Sequence, residues 1–182
     1  YPQKNNFNQF LKLGATHEWI SGGGEGLPEV NYSNIIANVE YRNRTKNQQW
    51  DFIVRGKLFA AGSYAGDYDA FIALQKQIAH SKAFFQLGLQ NVNRSPASVF
   101  NNQVSSFPVV ANALNKENNT RIFANLHFNS LQLDLTGEYY ILGNYIYFNN
   151  FYEAQQSSTL LNVLHTAAEK KFKIAKHWNL YS

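Results

Sequence analysis

One stretch constrains this chain more than any other: Arg121 to Leu142, RIFANLHFNSLQLDLTGEYYIL. Ile122, Ala124, Leu126 and Phe128 alternate with Arg121, Asn125, His127 and Asn129, and only Phe123 interrupts the polar set. Past Asn129-Ser130 the alternation resumes, with Leu131, Leu133, Leu135, Gly137, Tyr139 and Ile141 set against Gln132, Asp134, Thr136, Glu138 and Tyr140. A strand sends successive side chains to opposite faces, so this reads as a hairpin with one oily and one wet face. The oily face continues for roughly nine to eleven residues, the length a tilted strand needs to cross the hydrocarbon of a bilayer.

Composition narrows the class. The 182 residues are 45% hydrophobic and 15% aromatic, with 14 Phe and 11 Tyr. No apolar run approaches the roughly 18–20 residues of a transmembrane helix, so a helical membrane protein is excluded. A transmembrane strand shows only every second residue to lipid, and a polar average rich in aromatics suits that case. Cysteine is absent, which removes disulfides and thiolate-held metals. The formal charge of +4 is scattered rather than clustered, so nucleic acid is not an expected partner. Methionine is absent too, and a chain running from Tyr1 to a terminus inside a strand at Ser182 suggests a piece of a longer polypeptide.

Similar alternation recurs over Gln9–Trp19, Asn34–Arg44, Trp50–Gly62, Tyr68–Gln77 and Ala83–Asn91. It is blurred over Leu160–Lys170, where Leu161, Val163 and Ala167 could share a face, and returns over Ala175–Tyr181 after a charged turn at Lys171–Lys176. The total is about nine strands in one region spanning 1–182. The connections alternate in length. Those at 20–33, 92–119 and 143–159 are long and 62–67 is intermediate, whereas 45–48, 79–82, 129–130 and 171–175 are short. Outer-membrane barrels have short periplasmic turns and longer outside loops, and a sandwich with Greek-key crossings has no reason to sort its loops this way. The expected fold is therefore all-β: an antiparallel up-and-down transmembrane β-barrel, or an arc of a larger one.

Energy decides which face meets which solvent. Arg55 or Lys57 toward lipid would cost about 2–4 kcal/mol near the midplane, and toward a water-filled lumen very little. The face bearing Trp50, Phe52, Val54 and Leu58 is then the lipid face. Trp19, Tyr41, Trp50, Tyr139 and Trp178 fall near strand ends, where aromatic girdles lie.

Gly62-Ser63-Tyr64-Ala65-Gly66-Asp67-Tyr68 closes one hairpin, and Asn93-Arg94-Ser95-Pro96 opens the long loop after the next. That order, with the aromatic-alternating strands and the tail from Tyr145-Ile146-Tyr147 through Leu160 to Lys176, resembles the putative porin family of the Bacteroidetes outer membrane. The resemblance covers most of residues 33–182. It implies an outer-membrane barrel larger than this chain builds alone, and brings no catalytic residue. An odd strand count also departs from single-chain bacterial barrels, which have even numbers. An isolated arc would leave two unpaired edges in lipid, so further strands, covalent or from a partner, must close it.

Among candidate site residues, the lumen-lining set is Lys12, Glu18, Glu40, Arg42, Arg44, Asp51, Arg55, Lys57, Asp134 and Glu138. These would set the field in a water-filled pore. The competing reading is that they neutralise one another across strands, Glu40, Arg42 and Arg44 facing Asp51, Arg55 and Lys57. Phe100, Phe107, Tyr145, Tyr147 and Tyr152, with Phe148 and Phe151, sit in the long connections and suit sugars or a partner protein, or fold inward as a plug. His17, His80, His127, His165 and His177 lack metal-ligand spacing, so no metal and no cofactor is expected. No nucleophile elbow is present. A Ser-His-Asp site of the kind used by outer-membrane barrel lipases is the enzymatic runner-up, and the expectation is no enzyme. The Gly-rich SGGGEG stretch lacks the Lys-Ser/Thr of a phosphate loop and reads as a flexible outside loop.

Three functions follow. The first is a barrel in outer-membrane lipid passing small polar solutes by passive diffusion. The second is a non-conducting structural or accessory subunit of an outer-membrane complex, with other outer-membrane subunits as partners. The third is a soluble glycan-binding β-sandwich.

Overall fold

The structure, a computed structural model, describes residues 9–23, 29–45, 49–78, 83–97, 100, 110–111, 113–150, 153–175 and 178–181. These form twelve strands and no α-helix: β1 (Gln9–Gly22), β2 (Val30–Arg44), β3 (Trp50–Gly62), β4 (Tyr68–Ile78), β5 (Ala83–Arg94), β6 (Val110–Ala111), β7 (Glu117–Phe128), β8 (Leu133–Gly143), β9 (Ile146–Asn150), β10 (Glu153–Gln156), β11 (Leu161–Ala175) and β12 (Trp178–Tyr181). Nine of them make one sheet in chain order, β1-β2-β3-β4-β5-β7-β8-β11-β12, with every neighbouring pair antiparallel. The sheet is up-and-down and all-β, as the alternation predicts. β1 and β12 are its edges, so it is an open arc rather than a closed cylinder.

Directly opposed residues of an antiparallel pair share a face, so the register carries the two faces across the sheet. One row runs Lys12–Glu40–Arg55–Phe71–Gln90–Arg121–Tyr140 from β1 to β8, and the next outward-facing row runs Leu11–Tyr41–Val54–Ile72–Leu89–Ile122–Tyr139. From β1 to β8 polar residues thus dominate one wall and apolar residues the other. Among the described residues only Ile36, Ala73, Ala83, Phe123, Ile146 and Ala154 are buried hydrophobics, far short of the contiguous core that holds a soluble domain of this length together. The apolar wall is uncovered: Leu13 is 72% exposed, Leu87 47% and Ile122 42%. No second sheet packs on it among the described residues, so the fold is not a sandwich.

Chain order also sorts the connections. The strand ends that follow β1, β3, β5 and β8 lie at one end of the sheet, and those that follow β2, β4, β7 and β11 at the other.

Three local expectations differ from the structure. The 92–119 connection is shorter than the hydropathy suggests, because pairing continues to Arg94 opposite Glu117. There the alternation gives way to amide pairing: Asn91 Nδ2 donates to Thr120 Oγ1 (2.7 Å) and to Asn118 Oδ1 (3.0 Å). Lys171 to Ala175 is strand rather than turn, held by its ladder to β12. The 143–159 connection contains β9 and β10, which join β6 in a separate three-stranded sheet, β10 running antiparallel to β9 and parallel to β6. On β11, Leu161, Val163, His165, Ala167 and Glu169 share the polar wall with Tyr140, Glu138 and Asp134, which the blurred sequence pattern left open.

Candidate functional site: the polar wall and its loop cap

The register places Lys12, Glu18, Glu40, Arg42, Arg44, Asp51, Arg55, Lys57, Asp134 and Glu138 all on the polar wall, but they fall into separate groups. Near the short-turn end Arg44 lies opposite Asp51, and Arg42 reaches the same carboxylate diagonally. Arg42 Nε donates to both Asp51 oxygens at 2.9 Å and its Nη2 contacts Oδ2, while Arg44 donates from Nε (3.2 Å) and Nη2 (2.9 Å). Asp51 is 5% exposed, so two guanidiniums neutralise one buried carboxylate. Here the charges pair across strands.

Near the long-loop end Glu18 accepts from Asn34 Nδ2 (3.1 Å). Asn34 is fully buried, and its Oδ1 accepts the Tyr64 backbone N–H (3.0 Å), pinning the 63–66 turn to β2. Gly62, at φ +107°, makes that turn possible: a Cβ there would sit 1.9 Å from Ser33 O. Tyr64 stacks on Tyr32 (5.4 Å), and burial with Tyr32 beside it raises the Tyr64 hydroxyl pKa.

On β7, β8 and β11, Glu138 gathers Arg121 Nη2, the Tyr140 hydroxyl (2.6 Å) and His165 Nδ1 (3.6 Å). Asp134 contacts His127 Nδ1, and His127 Nε2 lies 2.7 Å from Asn129 Oδ1. Among the described residues no group of His, Asp or Glu is arranged to hold a metal ion. His80 and His177 lie outside the described residues.

Arg55 and Lys57 behave differently from Arg42 and Arg44. Arg55 faces Glu40 in register without an ion pair, and its guanidinium lies over the Phe71 ring at 4.2 Å. Lys57 lies over Phe59 at 4.8 Å. Phe71 stacks on Phe123 (5.8 Å), and the Arg121 guanidinium also lies over the Phe123 ring (4.6 Å). Phe123 and Phe71 belong to β7 and β4, with β5 between them. The rings meet across it because Gly88 leaves the space open: a Cβ there would come within 2.4 Å of Phe123 Cζ. Phe123 thereby becomes 3% exposed on a mostly polar wall. Its break in the polar alternation was the one signal visible in the sequence. A recess of about 590 Å³ opens over this region, lined by Lys12, Glu40, Arg55, Lys57, Asp69 and Arg121 among others.

The long-loop end is tied together by a second cluster that sequence reading missed. Asp67, 6% exposed, accepts from Ser95 N and Oγ (both 2.8 Å) and from Lys116 Nζ (2.7 Å), which also donates to Ala65 O (2.7 Å). Glu117 pairs with Arg94 (3.0 Å) and accepts the Ile146 N–H (3.0 Å). Gln156 Nε2 donates to Asn115 O and Asn144 O (both 2.8 Å), and its Oε1 accepts Asn115 N–H (2.9 Å). Of the loop candidates, Phe100 packs on Phe148 (4.9 Å), whereas Tyr145 and Tyr147 stack on each other (6.4 Å) and stay exposed at 43% and 38%. Phe107, Phe151, Tyr152 and the Trp178 side chain lie outside the described residues. No single residue predicts this cap, because its partners are far apart in the chain.

On the apolar wall Tyr41 meets Phe52 edge-on (6.3 Å) and Lys76 lies over Trp50 (4.6 Å) near the short-turn end, while Trp19 near the opposite end is 74% exposed. Aromatic rings, one of them beneath a lysine, thus sit near both ends of the apolar wall.

No curated protein and no solved structure matches the chain. A family model described as putative porin matches residues 3–182. With that match covering essentially the whole sequence, and an antiparallel arc of alternating strands beneath it, the chain belongs to the putative porin family.

Proposed function

We propose that this protein is a porin-like β-barrel of the bacterial outer membrane, through which small polar solutes diffuse passively along the polar wall. The observation that carries the reading is the partition of the sheet. From β1 to β8 one wall is apolar and uncovered, and the other holds the charged rows and the recess. Five outward positions of β8, from Leu133 to Ile141, cover about 27 Å of strand, or about 19 Å of depth at a 45° tilt. That is most of the roughly 25 Å apolar band of an outer-membrane barrel. Lipid is the solvent that makes such a wall favourable, whereas in water a contiguous patch of this extent drives association. No enzymatic chemistry is assigned. The test is single-channel recording on the intact full-length protein in planar bilayers, together with fractionation of the outer membrane. Discrete conductance steps are expected; a sealed barrel, or a protein recovered in the aqueous phase without detergent, refutes the reading.

The bound loop cap favours a second reading, a non-conducting accessory barrel. Here the 95–116 and 144–160 connections, joined through Gln156 and Glu117, present the exposed Tyr145 and Tyr147 to another outer-membrane subunit. It expects stable co-purification with that subunit, lost when residues 95–116 are deleted, and no conductance.

A further inference from the structure

We infer that Arg55 and Lys57, with Lys12 across the recess, form an oxyanion-binding station on the polar wall, selective for carboxylate- or phosphate-bearing solutes. The inference starts from which charges are already satisfied. Asp51 holds both Arg42 and Arg44, Glu138 holds Arg121, and Asp69 accepts the Gln90 amide (2.9 and 3.2 Å). Among the described residues Lys12, Arg55 and Lys57 have no carboxylate within ion-pairing distance, although Glu40 stands in register between Lys12 and Arg55 and Asp69 stands opposite Lys57. Three cations against two carboxylates, Glu40 and Asp69, the latter bonded only to a neutral amide and so still charged, leave the recess with a surplus of one positive charge.

The aromatic pad explains why the guanidinium stays available. Arg55 rests on Phe71, which is backed by the buried Phe123, and the pair crosses β5 only because position 88 is glycine. A cation held on a ring face keeps its N–H edges free, whereas one paired with a carboxylate has spent them. Arg55 and Lys57 project from the same face two residues apart, about 7 Å along the strand, so both can reach the oxygens of one anion. Gly14, lining the same recess, has no neighbour closer than 4.0 Å to the Cβ it lacks, which leaves room for the rest of a solute. Placed on a wall that solutes pass, weak multivalent cation contacts raise the local concentration of anions without trapping them.

The transport meaning of this station rests on the porin reading, and the binding itself does not, so two measurements on the intact full-length protein separate them. Titration calorimetry in detergent uses inorganic phosphate as the probe and reports binding whether or not the barrel conducts. Saturable binding is expected in the wild type, weakened about tenfold or more by Arg55→Gln with Lys57→Gln. Lys76→Gln, on the opposite wall over Trp50, should leave it unchanged. If the double variant fails to fold by circular dichroism, Lys12→Gln alone should weaken binding about threefold. A parallel titration with acetate identifies the source, and a preference for either anion supports the station. Absence of phosphate and acetate binding in the wild type, or equal binding by wild type and double variant, overturns it. Absence of channel steps with charge-dependent phosphate binding intact refutes the porin reading and leaves the station standing.

Discussion

Adjacent residues in the middle of β5 offer the sharpest test of the lipid–lumen partition. Leu87 faces the apolar wall and is 47% exposed, and Gln86 faces the polar wall, where Asn125 Nδ2 donates to its Oε1 (3.2 Å). β5 is flanked on both sides by full-length partners, β4 and β7, so an edge effect does not confuse the comparison. Along the outward set of Ala83, Phe85, Leu87 and Leu89, Leu87 stands four residues from the polar Asn91 and four from the strand start at Ala83. Four residues are about 13 Å of strand and about 9 Å of depth at a 45° tilt, which puts Leu87 near the centre of the roughly 25 Å apolar band. Leu87→Arg should then cost about 3 kcal/mol, within the 2–4 kcal/mol range for an arginine at the midplane, or about two decades in the folding equilibrium. Gln86→Arg loses one side-chain hydrogen bond and gains access to water, for a cost below about 1 kcal/mol. The assay is urea unfolding of the full-length protein in liposomes, extrapolated linearly to water. A Gln86→Arg penalty equal to or larger than that of Leu87→Arg refutes the partition. So does a negligible Leu87→Arg penalty, because a leucine exposed to water would tolerate the charge.

Three further outcomes follow from the geometry. Gly88→Ala should destabilise by about 2 kcal/mol in the same unfolding assay, since its Cβ meets Phe123 Cζ at 2.4 Å; Phe123→Leu should recover part of this, leaving the 2.8 Å contact with Ile72 O, and strict additivity would contradict the mechanism. Asp51→Ala leaves Arg42 and Arg44 facing each other without a counter-charge, and because both side chains keep about a third of their exposure the loss should be about 1–2 kcal/mol, read as a lowered urea midpoint; an unchanged midpoint would show the triad to be inert. Asp67→Asn weakens the grip on Lys116 and Ser95, so proteolysis within 95–116 should accelerate several-fold in intact proteoliposomes while the sheet persists; an unaltered cleavage rate would mean that the cap holds without Asp67.

Strand positions and the two walls were legible in the residues because a strand's side-chain period is local. Leu133, Leu135, Tyr139 and Ile141 announce their face without reference to any other part of the chain. The nine-stranded sheet follows that pattern nearly strand for strand, and its departures lie where the alternation fades into asparagines at Asn91 and Asn118 or into charges at Lys170 and Lys171. Which charges cancel was not legible. Arg42 and Arg55 look equivalent in the sequence, yet one shares Asp51 and the other lies on Phe71, a difference decided by the β2–β3–β4 register. The pad of Phe71 and Phe123, the glycine that admits it, the Asp67–Lys116 tie and the β6–β10–β9 sheet all join residues from different hairpins. Periodicity carries no information about such distant pairs. Local alternation therefore determined that this chain makes an amphipathic arc, and only the tertiary structure decided where on its wet wall positive charge is left unspent.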